Sequence, residues 1–317
     1  MYADSMPLDA SFQEITRHGT SGFLIQFYID ELYKFKDKSV PLHWHTEPEF
    51  FVITGGSVCI QVSNQQLVLH QGEGIFINSN VLHKFVQLNS EDYCQCPNIV
   101  FDTEIIASAN SSVHNKYIKP IVLNASIPYL LLQPQTSWQK SILEGLNYIF
   151  ALLHVYGPEG AYGSLPDMDY CISGITGSCY EMKVQNYLNN IWQLLFSNLD
   201  HIPTVTYSRR ELQSQVRLQK MLSYISINYS GPITLHNISQ AANISKSEAS
   251  RCFHTYLEGS PIDYLLNYRI DMAKKALQNS SQSINEISLS CGFNSQSYFT
   301  KIFKNKVGVT PSDYRKV

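Results

Sequence analysis

No uninterrupted apolar run in these 317 residues approaches the ~18 that cross a bilayer, so no membrane span is expected. The N-terminus lacks a basic stretch followed by an apolar run, so no secretory signal is expected either. A regular cysteine framework is also missing. The seven cysteines are an odd number without repeating spacing, which argues against a disulfide-stapled secreted domain and fits a reducing cytoplasm. Cys94-Gln-Cys96 is a lone C-x-C, too weak a pattern to carry a redox or metal site, and we read it as packing. What the chain does have is an uneven charge. Residues 213–317 hold 12 Lys/Arg against 6 Asp/Glu, a net of +6, and the remainder holds 11 against 20, a net of −9. A basic C-terminal third is the asymmetry expected when one end alone meets phosphate.

The most patterned stretch runs from Ile284 to Tyr314 and predicts two short helices joined by a tight turn. Ser283 and Glu286 form a Ser-x-x-Glu capping box, and Ile284, Ile287 and Leu289 give the first helix an apolar side. Gly292 supplies the turn and Ser295 caps the second helix. Phe299, Ile302 and Phe303 follow at helical spacing and should face inward. That leaves Gln296, Ser297, Thr300 and Lys301 outside, with groups suited to base edges and phosphates. The pattern occurs twice: Ile238, Phe253 and Tyr264 precede Ile287, Phe303 and Tyr314 by 49, 50 and 50 positions. In the first copy, 235–242 leads and 245–257 follows. Ser245 and Glu248 cap the second helix, Ala249 and Phe253 point inward, and Lys246, Ser247, Ser250, Arg251 and His254 face outward. A long helix over 262–278 joins the copies.

The run GF-x-SQSYF-x-x-x-FK-x-x-x-G-x-TPS-x-YR from Gly292 closely resembles the signature of AraC-type transcription regulators. The resemblance implies a sequence-specific double-stranded DNA operator as partner. Both recognition helices of one chain would enter successive major grooves about 34 Å apart on one face. It also implies contact with RNA polymerase. Carried over by position, the DNA-contacting candidates are Lys246, Ser247, Ser250, Arg251, Gln296, Ser297, Thr300 and Lys301. Arg251 is the strongest, because a guanidinium can take guanine O6 and N7 together; a phosphate contact or surface ion pair is its alternative.

Residues 22–101 predict a different architecture. Strands are expected over 22–30, 50–54, 56–62, 67–69, 74–77, 84–88 and 98–101, with close turns at Gly55-Gly56 and Asn64-Gln65. Short strands at this spacing suggest a small barrel or jelly roll. His43, His45, Glu49, Gly56 and His83 resemble the cupin pattern. His43 and His45 are two apart and so project from one face of a strand, and Glu49 has the same parity. In metal-binding cupins these four positions hold the ion, and three imidazoles with a carboxylate suit Zn²⁺, Fe²⁺, Mn²⁺ or Ni²⁺. The frame departs from the family. Asp37 stands where the first motif begins with Gly, and Asn78, Asn80 and Gln87 replace Pro, Gly and Asn of the second. Three readings of His43, His45, Glu49 and His83 stand: an organic effector pocket with no metal cofactor, a divalent metal site, or internally satisfied histidines. Trp44, of opposite parity, is read as packing under a helix.

Helices over 138–154 and 181–199 would close the barrel's open side or make a homodimer contact. The stretch 157–178 reads as a loop, 200–212 as a linker in which Arg209 and Arg210 are solvated, and 215–229 as a helix with Met221, Leu222, Ile225 and Ile227 on its apolar side. The expected fold class is α+β multidomain. A cupin-like β-barrel (jelly roll) occupies 1–130, a helical pair 131–200, a linker 201–212, and an all-α domain with two helix-turn-helix motifs 213–317. The expected function is a DNA-binding transcription regulator controlled by a small-molecule effector, a sugar or sugar derivative by family habit, and not an enzyme. The alternatives are an effector-independent DNA-binding dimer, favoured if Phe51, Phe76 and Phe85 fill the barrel, and a metal-dependent cupin enzyme.

Overall fold

The computed structural model describes residues 6–9, 11–63, 65–89, 93–157, 177–203, 209–257 and 259–316. Most of the expected loop and part of the expected linker lie outside the described residues. The chain divides into two compact units, the first of residues 1–9 and 13–208 and the second of residues 10–12 and 209–317. Among the described residues, no helix is long and apolar enough to cross a membrane.

The first unit is a two-sheet sandwich. One sheet holds β1 (Ile25–Glu31), β8 (Gln95–Phe101), β3 (Glu49–Val52), β6 (Gly74–Ile77) and β9 (Tyr129–Leu132) in that order. The other holds β2 (Ser39–His43), β7 (His83–Gln87), β4 (Ser57–Val62) and β5 (Gln65–His70). All pairings are antiparallel. Strands β1 and β4 alternate buried and part-buried residues, the signature of one covered face, whereas β3, β6 and β8 are buried at every position. The reason is a cover on both faces of the larger sheet. Its inner face meets the smaller sheet through Phe51, Ile53, Ile75, Val58, Ile60 and Phe85. Its outer face, with Phe27, Phe50, Phe76, Ile99 and Phe101, packs against two long helices, α2 (Ser137–Tyr156) and α3 (Tyr180–Ser197). Ile142, Leu146, Ile149, Val184, Leu188 and Ile191 supply their apolar sides. The helical pair therefore shares a core with the sandwich and covers it. Between β8 and β9 lie a π-turn (His114–Ile118) and a one-turn helix, α1 (Lys119–Val122). Cys94 and Cys96 are fully buried in the inter-sheet core, as expected of packing residues.

The second unit is all helical: α4 (Arg209–Asn228), α5 (Leu235–Ala241), α6 (Lys246–Leu257), α7 (Pro261–Asn279), α8 (Ile284–Ser290), α9 (Gln296–Val307) and α10 (Pro311–Tyr314). Arg209 and Arg210 lie in the first turn of α4 rather than in a linker, though their side chains are outside the described residues. Capping is dense. Full boxes start α5 (Thr234 with Asn237), α7 (Ser260 with Asp263) and α8 (Ser283 with Glu286), and Pro opens α7 and α10. Two expected core residues are instead exposed: Ile227 at 76% and Leu289 at 52%. Each sits two residues from a buried neighbour, Ile225 and Ile287, and two helical steps of 100° carry a side chain to another face.

Candidate functional site

His43, His45, Glu49 and His83 converge. One potential ligand atom from each lies within 4.8 Å of the others, and all four residues are buried. They come from separate elements. His43 ends β2 and pairs directly with His83, which opens β7. His45 lies two residues beyond β2, where the chain leaves the sheet. Glu49 opens β3 in the opposite sheet, so strand parity does not govern it, contrary to the sequence expectation. The chain folds over at residues 44–48, and that turn, not a common strand face, brings Glu49 to the histidines.

Each imidazole is fixed by its outer nitrogen. His43 Nδ1 lies 2.8 Å from the Pro41 carbonyl, His45 Nδ1 2.7 Å from that of Glu47, and His83 Nδ1 2.8 Å from that of Val81. A carbonyl only accepts, so each Nδ1 carries a proton, and a ring in its neutral form then keeps its lone pair on Nε2; at His45 burial opposes the charged form, but Glu49 outweighs it and raises the imidazole. His45 Nε2 and His83 Nε2 stand 3.4 and 3.2 Å from Glu49 Oε2, yet none of these three buried atoms has a hydrogen-bond partner of proper geometry. Carbonyl-pinned histidines with free inner nitrogens are the arrangement that surrounds a bound metal. Burial and the neighbouring His83 and His45 push His43 well below the ordinary imidazole range. Burial opposes the charge on Glu49, but the approach of His45 and His83 outweighs it and holds the carboxyl below the usual range.

The departures from the cupin frame keep its backbone geometry. Asp37 and Asn80, which replace glycines, have φ of +55° and +61°, and Asp and Asn are among the side chains that tolerate this left-handed region. Buried Asn78 donates to the carbonyls of Ile121 and Ile127, both at 2.8 Å, tying the segment before β9 to the site. Trp44 is half-buried, and its backbone pairs with Gln13 and Glu14.

A cavity of about 50 Å³ is lined by His43, His45 and Glu49, with Glu14, Tyr28, Asp30 and Asn98 as its other polar lining. That is room for a few waters, and about a third of the ~150 Å³ that holds benzene elsewhere. Phe85 forms part of its wall and stacks on Phe51 at 4.0 Å, while Phe76 lies in the other core. These lining residues escaped the sequence reading. The signal for two of them was a short polar side chain within a strand: Asp30 in β1 and Asn98 in β8.

Asp30 accepts a hydrogen bond from Asn98 Nδ2 at 2.8 Å. Burial and the Glu49 charge raise its carboxyl from about 3.8 to about 8, although the Asn98 bond works the other way. A group with a raised folded pKa stabilises fully below its unfolded value and loses that contribution as pH rises through the folded one. Metal-free protein should therefore lose stability between about pH 4 and pH 8. The residue as a whole is only part-buried and the cavity admits water, so the effect is about 1–3 kcal/mol, short of the full linkage value. Asp30→Asn, which mimics the neutral acid, should melt higher than wild type at pH 8 and equally at pH 4.5. Parallel pH curves for the two proteins would show that Asp30 is ionised throughout.

In the second unit, α5–α6 and α8–α9 form the two helix-turn-helix motifs. Ala249, Phe253, Phe299 and Phe303 are fully buried, so both second helices sit on their apolar faces as expected. Lys246, Ser247, Arg251 and His254 of α6 are exposed and Ser250 is part-buried; on α9, Gln296, Ser297 and Lys301 are exposed and Thr300 is part-buried. Glu248, on the first turn of α6, pairs with Arg217 of α4 at 2.8 Å, a link not visible in the sequence. Arg251 has no ion pair among the described residues, which removes the surface-pair alternative for the free protein.

A family model described as a helix-turn-helix domain matches residues 238–317, and one described as a cupin domain matches residues 33–97. The chain carries an AraC-type helix-turn-helix domain in its C-terminal part and a cupin domain in its N-terminal part. It is a DNA-binding transcription regulator. It is 28% identical over 310 residues, 98% of both chains, to the uncharacterized HTH-type transcriptional regulator YdeC of Bacillus subtilis (strain 168). Similarity to the HTH-type transcriptional regulator GbdR of Pseudomonas aeruginosa (strain UCBPP-PA14) is 33% over 103 residues, 32% of this chain and 28% of that one. A crystal structure of an AraC-type DNA-binding domain-containing regulator from Chromobacterium violaceum is 31% identical, covering 33% of this chain and 94% of that one with a TM-score of 0.32. GbdR and the Chromobacterium protein are matched over only about a third of this regulator, whereas YdeC is matched throughout.

Proposed function

We propose that this regulator is controlled by a small-molecule effector bound in its cupin domain, and that a divalent metal held by His43, His45, Glu49 and His83 forms the floor of that site. The observation that carries the reading is the set of pinned imidazoles and one carboxylate whose inner donor atoms meet, with those of His45, His83 and Glu49 buried and without hydrogen-bond partners. Three nitrogens and an oxygen suit Zn²⁺, Fe²⁺, Mn²⁺ or Ni²⁺. When bound, such an ion supplies positive charge and open coordination positions for an oxygen-rich effector. A sugar or sugar derivative has the right chemistry, but a ring is larger than the present cavity, so the Met6–Glu14 side of the lining must shift to admit it. Effector binding can then switch the DNA-binding unit only if it favours one of two arrangements.

DNA contact is assigned to Lys246, Ser247, Ser250, Arg251, Gln296, Ser297, Thr300 and Lys301 in a cytoplasmic protein. Homodimerisation through α2 and α3 follows the family pattern and would join two DNA-binding units. Exposed Tyr148, Val155 and Met182 give those helices apolar surface for it. Activation by contact with RNA polymerase rests on the resemblance alone. The small cavity favours a second reading, in which the barrel binds no effector and serves only dimerisation.

The test pairs elemental mass spectrometry on protein purified without a metal-affinity tag with a thermal-shift screen of sugars and organic acids, run with and without added metal. Near-stoichiometric metal and a metal-dependent shift are expected. A shift without metal would establish a purely organic pocket. Neither signal would leave the dimerisation reading.

A further inference from the structure

The two helix-turn-helix motifs are joined by more than the length of α7. Midway along that helix, Arg269 is 9% exposed. Its Nε donates to the Tyr229 carbonyl at 2.8 Å and its Nη2 to the Gly231 carbonyl at 2.7 Å. Both carbonyls directly follow α4, the helix that packs against α5 and α6. Carbonyls at a helix C-terminus lack partners within the helix and carry partial negative charge, so a guanidinium there meets two needs at once. The same guanidinium lies over the Phe293 ring, 5.9 Å from its centroid. Phe293 belongs to the second motif, where it packs with Phe299 at 5.0 Å.

The turn of the second motif closes onto the same point. Gly292 has φ of +83°, and a Cβ built there would stand 2.3 Å from the Tyr229 oxygen and 2.8 Å from Arg269 Nη2. The equivalent turn of the first motif uses Asn243 at φ +52°, so a left-handed turn does not by itself require glycine in this domain. Glycine is needed at 292 because the Tyr229 carbonyl and Arg269 occupy the space a side chain would take. The end of α4, the middle of α7 and the turn of the second motif thus meet around one planar, charged fork that donates to two backbone carbonyls.

We propose that Arg269 is a positioning residue that holds the second recognition helix at a set distance and angle from the first, and so fixes the spacing between the two DNA segments the domain reads. The connector helix alone would leave each motif free to rock about it. The second motif packs on the Ile270–Leu277 half of α7, and Arg269 ties the same helix back to α4.

The test uses the full chain. A random-sequence duplex library selects its preferred site, and binding is then measured to that duplex and to versions with one or two base pairs inserted between the two contacted segments. Wild type should lose at least about 10-fold on a two-base-pair insertion, as one segment leaves register. Arg269→Met, which keeps an apolar stem against Phe293 but no donors, should bind the selected duplex more weakly and lose less than about 3-fold further on insertion. Arg269→Lys, with charge but no planar fork, should fall between. A folded Met variant that binds every duplex more weakly but keeps the wild-type insertion penalty has lost only stability, and overturns the assignment. If the Met variant does not fold, the Lys variant decides: an intermediate penalty supports the clamp, and a wild-type penalty overturns it.

Discussion

Alanine at His83 is expected to weaken divalent-metal binding by at least ~100-fold, since loss of a mere supporting hydrogen bond to a ligand already costs 10–100-fold. His83 is fully buried, its Nδ1 is spent on the Val81 carbonyl, and its Nε2 faces Glu49 Oε2 at 3.2 Å. Removing the ring takes away one of four donors and leaves Glu49 with one close imidazole instead of two. Isothermal titration with Zn²⁺ or Mn²⁺ checks the affinity, and elemental mass spectrometry checks what the protein retains on purification. Binding of the metal-free variant to DNA should stay within about twofold of metal-free wild type, because the second unit has a hydrophobic core of its own. Metal retained at wild-type stoichiometry and affinity would remove His83 from the ligand set.

Arg251→Ala should weaken operator binding by about 10- to 100-fold, the loss of one bidentate guanine contact at 1–3 kcal/mol. Nonspecific duplex binding should fall much less, because a base contact is lost and not a phosphate contact. Two observations make Arg251 the sharpest test. It is exposed on α6 without an ion pair among the described residues, and its neighbours Ser247 and Ser250 are too small to replace its reach. The helix beneath it is secured by buried Ala249, Cys252 and Phe253 and by the Arg217–Glu248 pair, so the substitution should not disturb the fold. Anisotropy titrations on specific and scrambled duplexes separate the outcomes. Equal losses on both would assign Arg251 to phosphate.

Local pattern was legible wherever the chemistry is local. Capping boxes span three residues and helical faces repeat within two turns, so α5, α6 and α7 emerged with boundaries off by at most one residue. The doubled motif made the DNA-binding unit readable without any partner. The exposed Ile227 and Leu289 mark the limit of that reading, because which apolar residues of a helix become core depends on what packs there. Strands β2 and β9 were not drawn separately. The first is interrupted by Pro41 and an irregular register, and the second, YLLL, lacks a period of two.

From the sequence alone came the two-domain order, the paired helix-turn-helix motifs and their outward residues, and the four metal-competent side chains. All follow from spacing along the chain and from residue chemistry. Tertiary structure alone decided three further things. It showed that Glu49 reaches the histidines across the sandwich by a change of sheet. It added Glu14, Tyr28, Asp30 and Asn98 to the cavity. It also revealed Arg269 as the tie between the two motifs. The physical reason is common to all three: these contacts depend on how the chain turns between sheets and on which elements pack together, which no spacing rule encodes.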